Sequence, residues 1–207
     1  MKVTALKRQK KHLTLVLFED GGEILLDNDV CADFSVKSGC DIAPDKIDEL
    51  LYCSEYARAK SRALWYLDRA DRTEKAMFKK LTDAGFDKRA SAAVIARFCE
   101  VGLIDDRRFA ENFAARCADA DISARETVRK LVEKGVPPDL AKEVVSECDT
   151  DEYAQIRAVI EKKYARKLTA ENGVQKVYAA LIRKGFSFSA VRDVLKKYSE
   201  ELEYSEE

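Results

Sequence analysis

Lys80-Leu81-Thr82-Asp83-Ala84-Gly85-Phe86, Lys130-Leu131-Val132-Glu133-Lys134-Gly135-Val136 and Ala180-Leu181-Ile182-Arg183-Lys184-Gly185-Phe186 align without a gap at intervals of 50 residues. Val94, Val144 and Val194 keep the same interval, in a chain that contains only 8 glycines. A fixed period of this length is the sequence signature of tandem structural units.

Each unit has a physical reading. A helix starts near Thr73, Ser123 or Gly173, and Ser123-Ala124-Arg125-Glu126 has capping-box spacing. The helix is expected to stop at Gly85, Gly135 or Gly185, because glycine takes the left-handed C′ conformation without a Cβ penalty. Phe86, Val136 or Phe186 then folds back on the helix just ended. A following helix carries Ala90, Val94, Phe98 and Val101 on one stripe, matched by Leu140, Val144 and Cys148, then by Val191, Val194, Leu195 and Tyr198. Pro137-Pro138 occupies the turn and helix entry of the second unit, where a missing N–H costs little. A preceding helix carries Leu64-Trp65-Tyr66-Leu67, Phe109 with Phe113, or Tyr153-Ile156-Val159-Ile160. Three helices per unit, stacked unit on unit, make an elongated array.

The first residues read differently. Leu13 to Phe18 is apolar and β-branched, Glu19-Asp20-Gly21-Gly22 is a turn, and Glu23 to Asp27 returns as a second strand. A lone hairpin is marginal in water, so the segment around Val3 or a helix must complete it. From Asp45 a helical pattern follows, with Ile47, Leu50, Leu51 and Tyr52 on its apolar face. The expected architecture is mainly α: a β-hairpin and helix module (1–54), three three-helix repeats (55–104, 105–150, 151–200) and an acidic tail (201–207).

Composition narrows the function. The 207 residues are 46% hydrophobic and 36% charged, with 3 prolines, which fits solvated helices over a core rather than an all-β fold or disorder. No apolar run reaches the ~20 residues that span a bilayer, and no signal-peptide pattern follows the basic N-terminus, so the expected compartment is the cytoplasm. The 6 cysteines are scattered with no C-x-x-C, and the one histidine, His12, has no catalytic setting. Phosphate-binding glycine motifs are absent, and the Asp105-Asp106 pair has no third ligand at usable spacing. These features point away from an enzyme, and no cofactor or metal is expected. The net charge of −1 conceals blocks. Residues 56–104 hold eleven bases and six acids, and 151–198 hold eleven bases and five acids, whereas 12–55 hold two bases and eleven acids. Blocks of this size suit a polar partner.

Arg69-Ala70-Asp71-Arg72-Thr73-Glu74-Lys75, and above all Val101-Gly102-Leu103-Ile104-Asp105-Asp106-Arg107-Arg108-Phe109-Ala110, resemble the RecX family over about residues 55–200. The hairpin with its basic residues is similar to the extension that many Gram-positive members carry. The resemblance implies a cytosolic, non-enzymatic modulator that binds the RecA–DNA filament. It would restrain strand exchange, ATP turnover and the co-protease activity behind the SOS response. The partner so implied is the RecA filament, engaged by a monomer, with weak contact to single- or double-stranded DNA as a further expectation.

At the junction itself Gly102 is read as a helix cap, Leu103 and Ile104 as inward-facing, and Asp105 as the cap of the next helix, where acids suit the dipole. Phe109 and Phe113, four apart, read as core. The candidate partner-binding residues are basic and spaced to share helix faces: Arg69, Arg72, Lys75, Lys79 and Lys80, then Arg125, Arg129 and Lys130, then Lys176, Arg183 and Lys184. A direct DNA-binding helical-repeat protein is the alternative, since basic three-helix units resemble helix-turn-helix arrangements. The pI of about 6.1 weighs against it. A helical scaffold for some other protein is a third reading.

Overall fold

A computed structural model describes residues 1–9, 12–168 and 170–204, without the side chains of 199–204. Lys10 and Lys11 of the basic N-terminus, and all of the expected acidic tail except the backbone of 201–204, lie outside the described residues. The chain divides into two compact units, Met1–Ile104 and Asp105–Glu207.

The first unit opens with β1 (Val3–Arg8), β2 (Leu13–Phe18) and β3 (Glu23–Asp27), an antiparallel sheet in that order. The Val3 segment is the strand that completes the hairpin. Period-2 alternation turns Thr14, Val16 and Phe18 of β2 inward, where Val3, Leu26, Ile42 and Leu50 meet them, together with Val30 and Cys31 of α1 (Asn28–Asp33). Helix α2 (Pro44–Leu67) begins one residue before the expected Asp45, with proline at its first position. Its outward Leu51 is 39% exposed rather than on the apolar face.

A single helix therefore runs through 54–55. Its N-terminal half packs Leu50 on the sheet, and Ser54 Oγ accepts the Asp27 N–H at 2.8 Å. Its C-terminal half supplies Ala59 and Ala63 to a second core with Met77, Leu81, Val94, Ile95, Phe98 and Ile104. These last residues come mainly from α3 (Glu74–Asp83) and α4 (Lys88–Glu100).

The second unit repeats the arrangement with α5 (Asp106–Asp119), α6 (Ala124–Glu133) and α7 (Pro138–Glu147). It repeats again with α8 (Glu152–Lys163), the single turn α9 (Ala165–Leu168), α10 (Gly173–Arg183) and α11 (Phe188–Tyr204). Leu81, Leu131 and Leu181 are all 0% exposed, each in the core of its own three helices. Gly85, Gly135 and Gly185 have φ of 90°, 102° and 89°. In all three turns the glycine N–H reaches back three residues at 2.9–3.0 Å, and the next N–H reaches the repeated leucine's carbonyl at 3.1–3.4 Å. This is a Schellman motif three times over. Gly102 closes α4 in the same way at φ 71°, and Asp105 caps α5 by accepting the Arg108 N–H at 2.9 Å.

Several side chains face differently from their sequence reading. Ile104 is buried, but Leu103 is 44% and Val101 48% exposed, because the chain has already left helical geometry at Val101. On α2 the small Ala59 and Ala63 carry the close contacts, and Leu64 and Trp65 point to solvent at 42% and 45%. Tyr153 is likewise outward. Ser123 caps α6 by accepting the Glu126 N–H at 3.3 Å, while the Glu126 carboxylate pairs with Arg129 rather than closing a capping box.

Thr73 Oγ1 accepts the Ala76 N–H at 3.2 Å from a nearly buried position. Thr73→Ala is expected to cost about 1 kcal/mol through that lost cap. It should appear as a lower urea midpoint at unchanged m-value.

Candidate partner-binding surfaces

In the first unit, exposure of Trp65 gives the basic residues something to gather on. Trp65 and Tyr66 meet edge to face with centroids 5.3 Å apart. The Arg69 guanidinium lies 3.4 Å above the Trp65 ring and donates to the Trp65 carbonyl oxygen at 2.8 Å; Arg62 approaches the same ring at 5.3 Å. Arg72 and Lys80 stand 5.8 and 5.3 Å from the Tyr66 ring. All fall within cation–π range. Arg72 is half-buried, its Nε enclosed by protein, so it is not a freely solvated charge. Lys79 is held by Asp83 at 2.7 Å, and Lys75 is exposed on α3. Three of the five expected residues, Arg69, Arg72 and Lys80, thus gather on the Trp65–Tyr66 pair. Trp and Arg together are the residue types that dominate binding hot spots.

In the second unit, residues of the second and third repeats converge on one cleft of about 320 Å³. The loop 120–123 and the start of α6 form one wall, and the C-terminal ends of α8 and α10 form the other. Arg129, Lys130, Arg183 and Lys184 line it, joined by Lys162 and Lys163; Asp121 and Glu126 are its acids. Six cations against two carboxylates leave it strongly positive.

The acids are engaged. Asp121 pairs with Lys162. Arg129 grips Glu126 through Nε at 2.8 Å and Nη2 at 2.5 Å, and also meets Glu133. That fork holds the Glu126 carboxyl below the usual carboxylate range, with Lys130 and Lys184 adding to the effect. Lys163, Arg183 and Lys184 have no carboxylate at ion-pair distance among the described residues. Arg183 spends only Nε, on the Ala179 carbonyl oxygen at 3.3 Å.

The cleft's back wall is a tight joint. Ser123 Oγ donates to the Lys184 carbonyl oxygen at 2.6 Å, and a Cβ on Gly185 would stand 2.8 Å from Ser123 Oγ. Arg125 lies beside this joint, outside the cleft lining, and Lys176 donates instead to the Glu171 carbonyl oxygen at 3.3 Å. Sequence reasoning missed Arg62, Trp65, Lys162 and Lys163 as site residues. The adjacent Lys162-Lys163 pair was visible as charge, but nothing local ties the end of α8 to the end of α10. Among the described residues no group of three or more His, Cys, Asp or Glu could hold a metal ion, and no helix is long and apolar enough to cross a membrane.

Buried leucines and Schellman turns at a fixed interval define a helical-repeat protein of tandem three-helix domains. The family model "RecX, first three-helix domain" matches residues 59–98, and "RecX, third three-helix domain" matches 149–195. Over those residues the chain is similar to the RecX family of regulatory proteins. It is 26% identical to the regulatory protein RecX of Streptococcus sanguinis over 194 residues, covering 93% of this chain and 75% of the relative. To that of Streptococcus pneumoniae it is 29% identical over 191 residues, covering 91% and 74%. A crystal structure of regulatory protein RecX shares its fold at TM-score 0.73 and 21% identity, over 95% of this chain and 98% of that one. RecX from Lactobacillus salivarius does so at TM-score 0.64 and 21% identity, over 70% and 97%.

Proposed function

We propose that this chain binds the RecA–DNA filament and restrains its recombinase, ATPase and co-protease activities, in the cytoplasm and without a catalytic step of its own. The observation that supports this reading is the placement of basic residues on successive repeats of a chain similar to the RecX family, around Trp65–Tyr66 in the first unit and around the cleft in the second. A ligand with several weak sites gains effective concentration on a partner that itself repeats. Restraint then follows from differential affinity: the filament state that fits the repeats best is the one stabilised.

Purified protein is expected to slow RecA-dependent ATP hydrolysis on single-stranded DNA at up to stoichiometric ratios. It should also co-sediment with RecA filaments, less so as salt is raised, since exposed charges are screened beyond ~8–10 Å near physiological ionic strength. Unchanged turnover at saturating protein with native helical circular dichroism overturns the reading.

A further inference from the structure

We propose that the cleft between the second and third repeats is a phosphate-binding site. It is built by Lys163 of α8 and by Arg183 and Lys184 at the end of α10, with Lys130 and Lys162 at its rim. The proposal goes beyond engagement of a protein filament, and it stands or falls in experiments that contain no RecA.

Three observations carry it. The first is the division of labour among the charges. Asp121 and Glu126 pair with Lys162 and Arg129, so the positive surplus resides on Lys163, Arg183 and Lys184, which face the same concave space with no carboxylate at ion-pair distance among the described residues. Like charges kept together at a cleft repel one another, and an incoming anion relieves that repulsion.

The second is donor geometry. Arg183 uses Nε on its own helix, which leaves the terminal nitrogens of its planar fork for an oxyanion. The two lysines add rotatable ammonium groups from two different helices. A phosphate presents its oxygens tetrahedrally, two non-bridging in a phosphodiester and three or more in a monoester or free phosphate. Donors converging from two helices can therefore reach it from different sides, whereas a carboxylate's two oxygens lie in one plane. The cleft's two resident carboxylates already engage Lys162 and Arg129.

The third is the wall. Ile122, Val159 and Phe186 line the cleft behind the charges, and low-dielectric walls focus the field of the cations into the opening. The Ser123–Lys184 bond and the closely approaching Gly185 turn hold the two repeats at this distance, so the donors do not have to be gathered when the anion arrives. The shared chemistry is the phosphate oxyanion. Its source is either the phosphodiester of a nucleic-acid strand or a free phosphorylated small molecule. Phe186 is buried in the core below, so recognition at the cleft is of phosphate rather than of a stacked base.

The test uses the full chain, a fluorescein-labelled oligo(dT) followed by anisotropy over a salt series, and pyrophosphate followed by calorimetry. The variant is K163A/R183A/K184A, which breaks no ion pair among the described residues, and K176A is a control outside the cleft. The expected result is binding by the parent and by K176A, and at least about tenfold weaker binding by the triple variant with unchanged circular dichroism. If the strand is the source, oligo(dT) is lost in the triple variant and its log–log salt slope flattens by ~0.7 per phosphate contact removed, while pyrophosphate binds weakly throughout. If a small molecule is the source, pyrophosphate binds the parent and not the variant. The proposal is overturned if the triple variant binds both probes like the parent, if the parent binds neither, or if a polyglutamate peptide occupies the cleft in preference to both.

Discussion

Leu131→Ala is expected to destabilise the second unit by about 4 kcal/mol, within the 2–5 kcal/mol spanned by buried leucine truncations. Leu131 is fully buried, and the buried residues around it are small: Ala110, Ala114, Val136, Ala141, Val144 and Val145, with Phe109, Phe113, Val128, Leu140 and Cys148 packed at the margin of the cluster. None of the buried residues has the length or torsional freedom to move into the space left behind, so most of the cavity term applies. The equivalent Leu81 is also fully buried, but its neighbours include Met77, Ile95 and Phe98. An unbranched methionine re-packs readily into irregular gaps. Leu81→Ala should accordingly cost nearer 3 kcal/mol. Urea denaturation of the full chain, with probes placed in each unit, measures both. A larger loss for Leu81→Ala than for Leu131→Ala would show that core composition does not govern the difference. Either loss is a large share of the ~5–15 kcal/mol that holds a domain folded.

The second large effect separates two glycines with the same dihedral. Gly85 and Gly185 sit at φ 90° and 89°, so a valine at either position pays the left-handed penalty of about 1–2 kcal/mol. At Gly85 an added Cβ meets nothing within 4 Å. At Gly185 it meets Ser123 Oγ at 2.8 Å, Arg125 Cβ at 3.3 Å and the Glu126 backbone nitrogen at 3.4 Å. A branched side chain there must push the α10–α11 turn off the start of α6, adding an overpacking cost of about 1–3 kcal/mol and breaking the Ser123–Lys184 bond. Gly185→Val should therefore lose roughly twice as much stability as Gly85→Val. It should also expose the Ser123–Thr127 amides to hydrogen exchange, whereas Gly85→Val leaves them protected. Equal losses would mean that the backbone conformation alone accounts for both.

These two glycines mark how much of the molecule was legible before the fold was known. The 50-residue interval, the helix stops and their positive φ depend on hydrogen bonds that reach three to five residues, and such interactions are written in local sequence. The same holds for the Ser123 and Thr73 caps and the period-2 burial of β2. Helix α2 was harder. Its two ends carry apolar residues for two different cores, so the pattern reads as two helices when the backbone runs unbroken from Pro44 to Leu67. Trp65 misleads for a related reason: it is the largest apolar residue on the helix, but Ala59 and Ala63 allow the close helix packing and leave the tryptophan outside.

The candidate site was legible as charge and not as geometry. The sequence by itself determined that basic residues recur on helices of fixed spacing, because periodicity on a helix places them on faces. It also determined that each unit closes with a left-handed glycine, because no other residue takes that dihedral without strain. Which of those residues share a space was decided by the tertiary structure alone. Arg129, Lys130, Arg183 and Lys184 meet Lys162 and Lys163 across separations of up to about 55 residues, and Glu152 reaches Ser187 to fasten the start of α11. Such meetings depend on how rigid helices dock through their buried faces. A charge on the outer face contributes almost nothing to that docking, so its own sequence neighbourhood carries no record of the partners it will acquire.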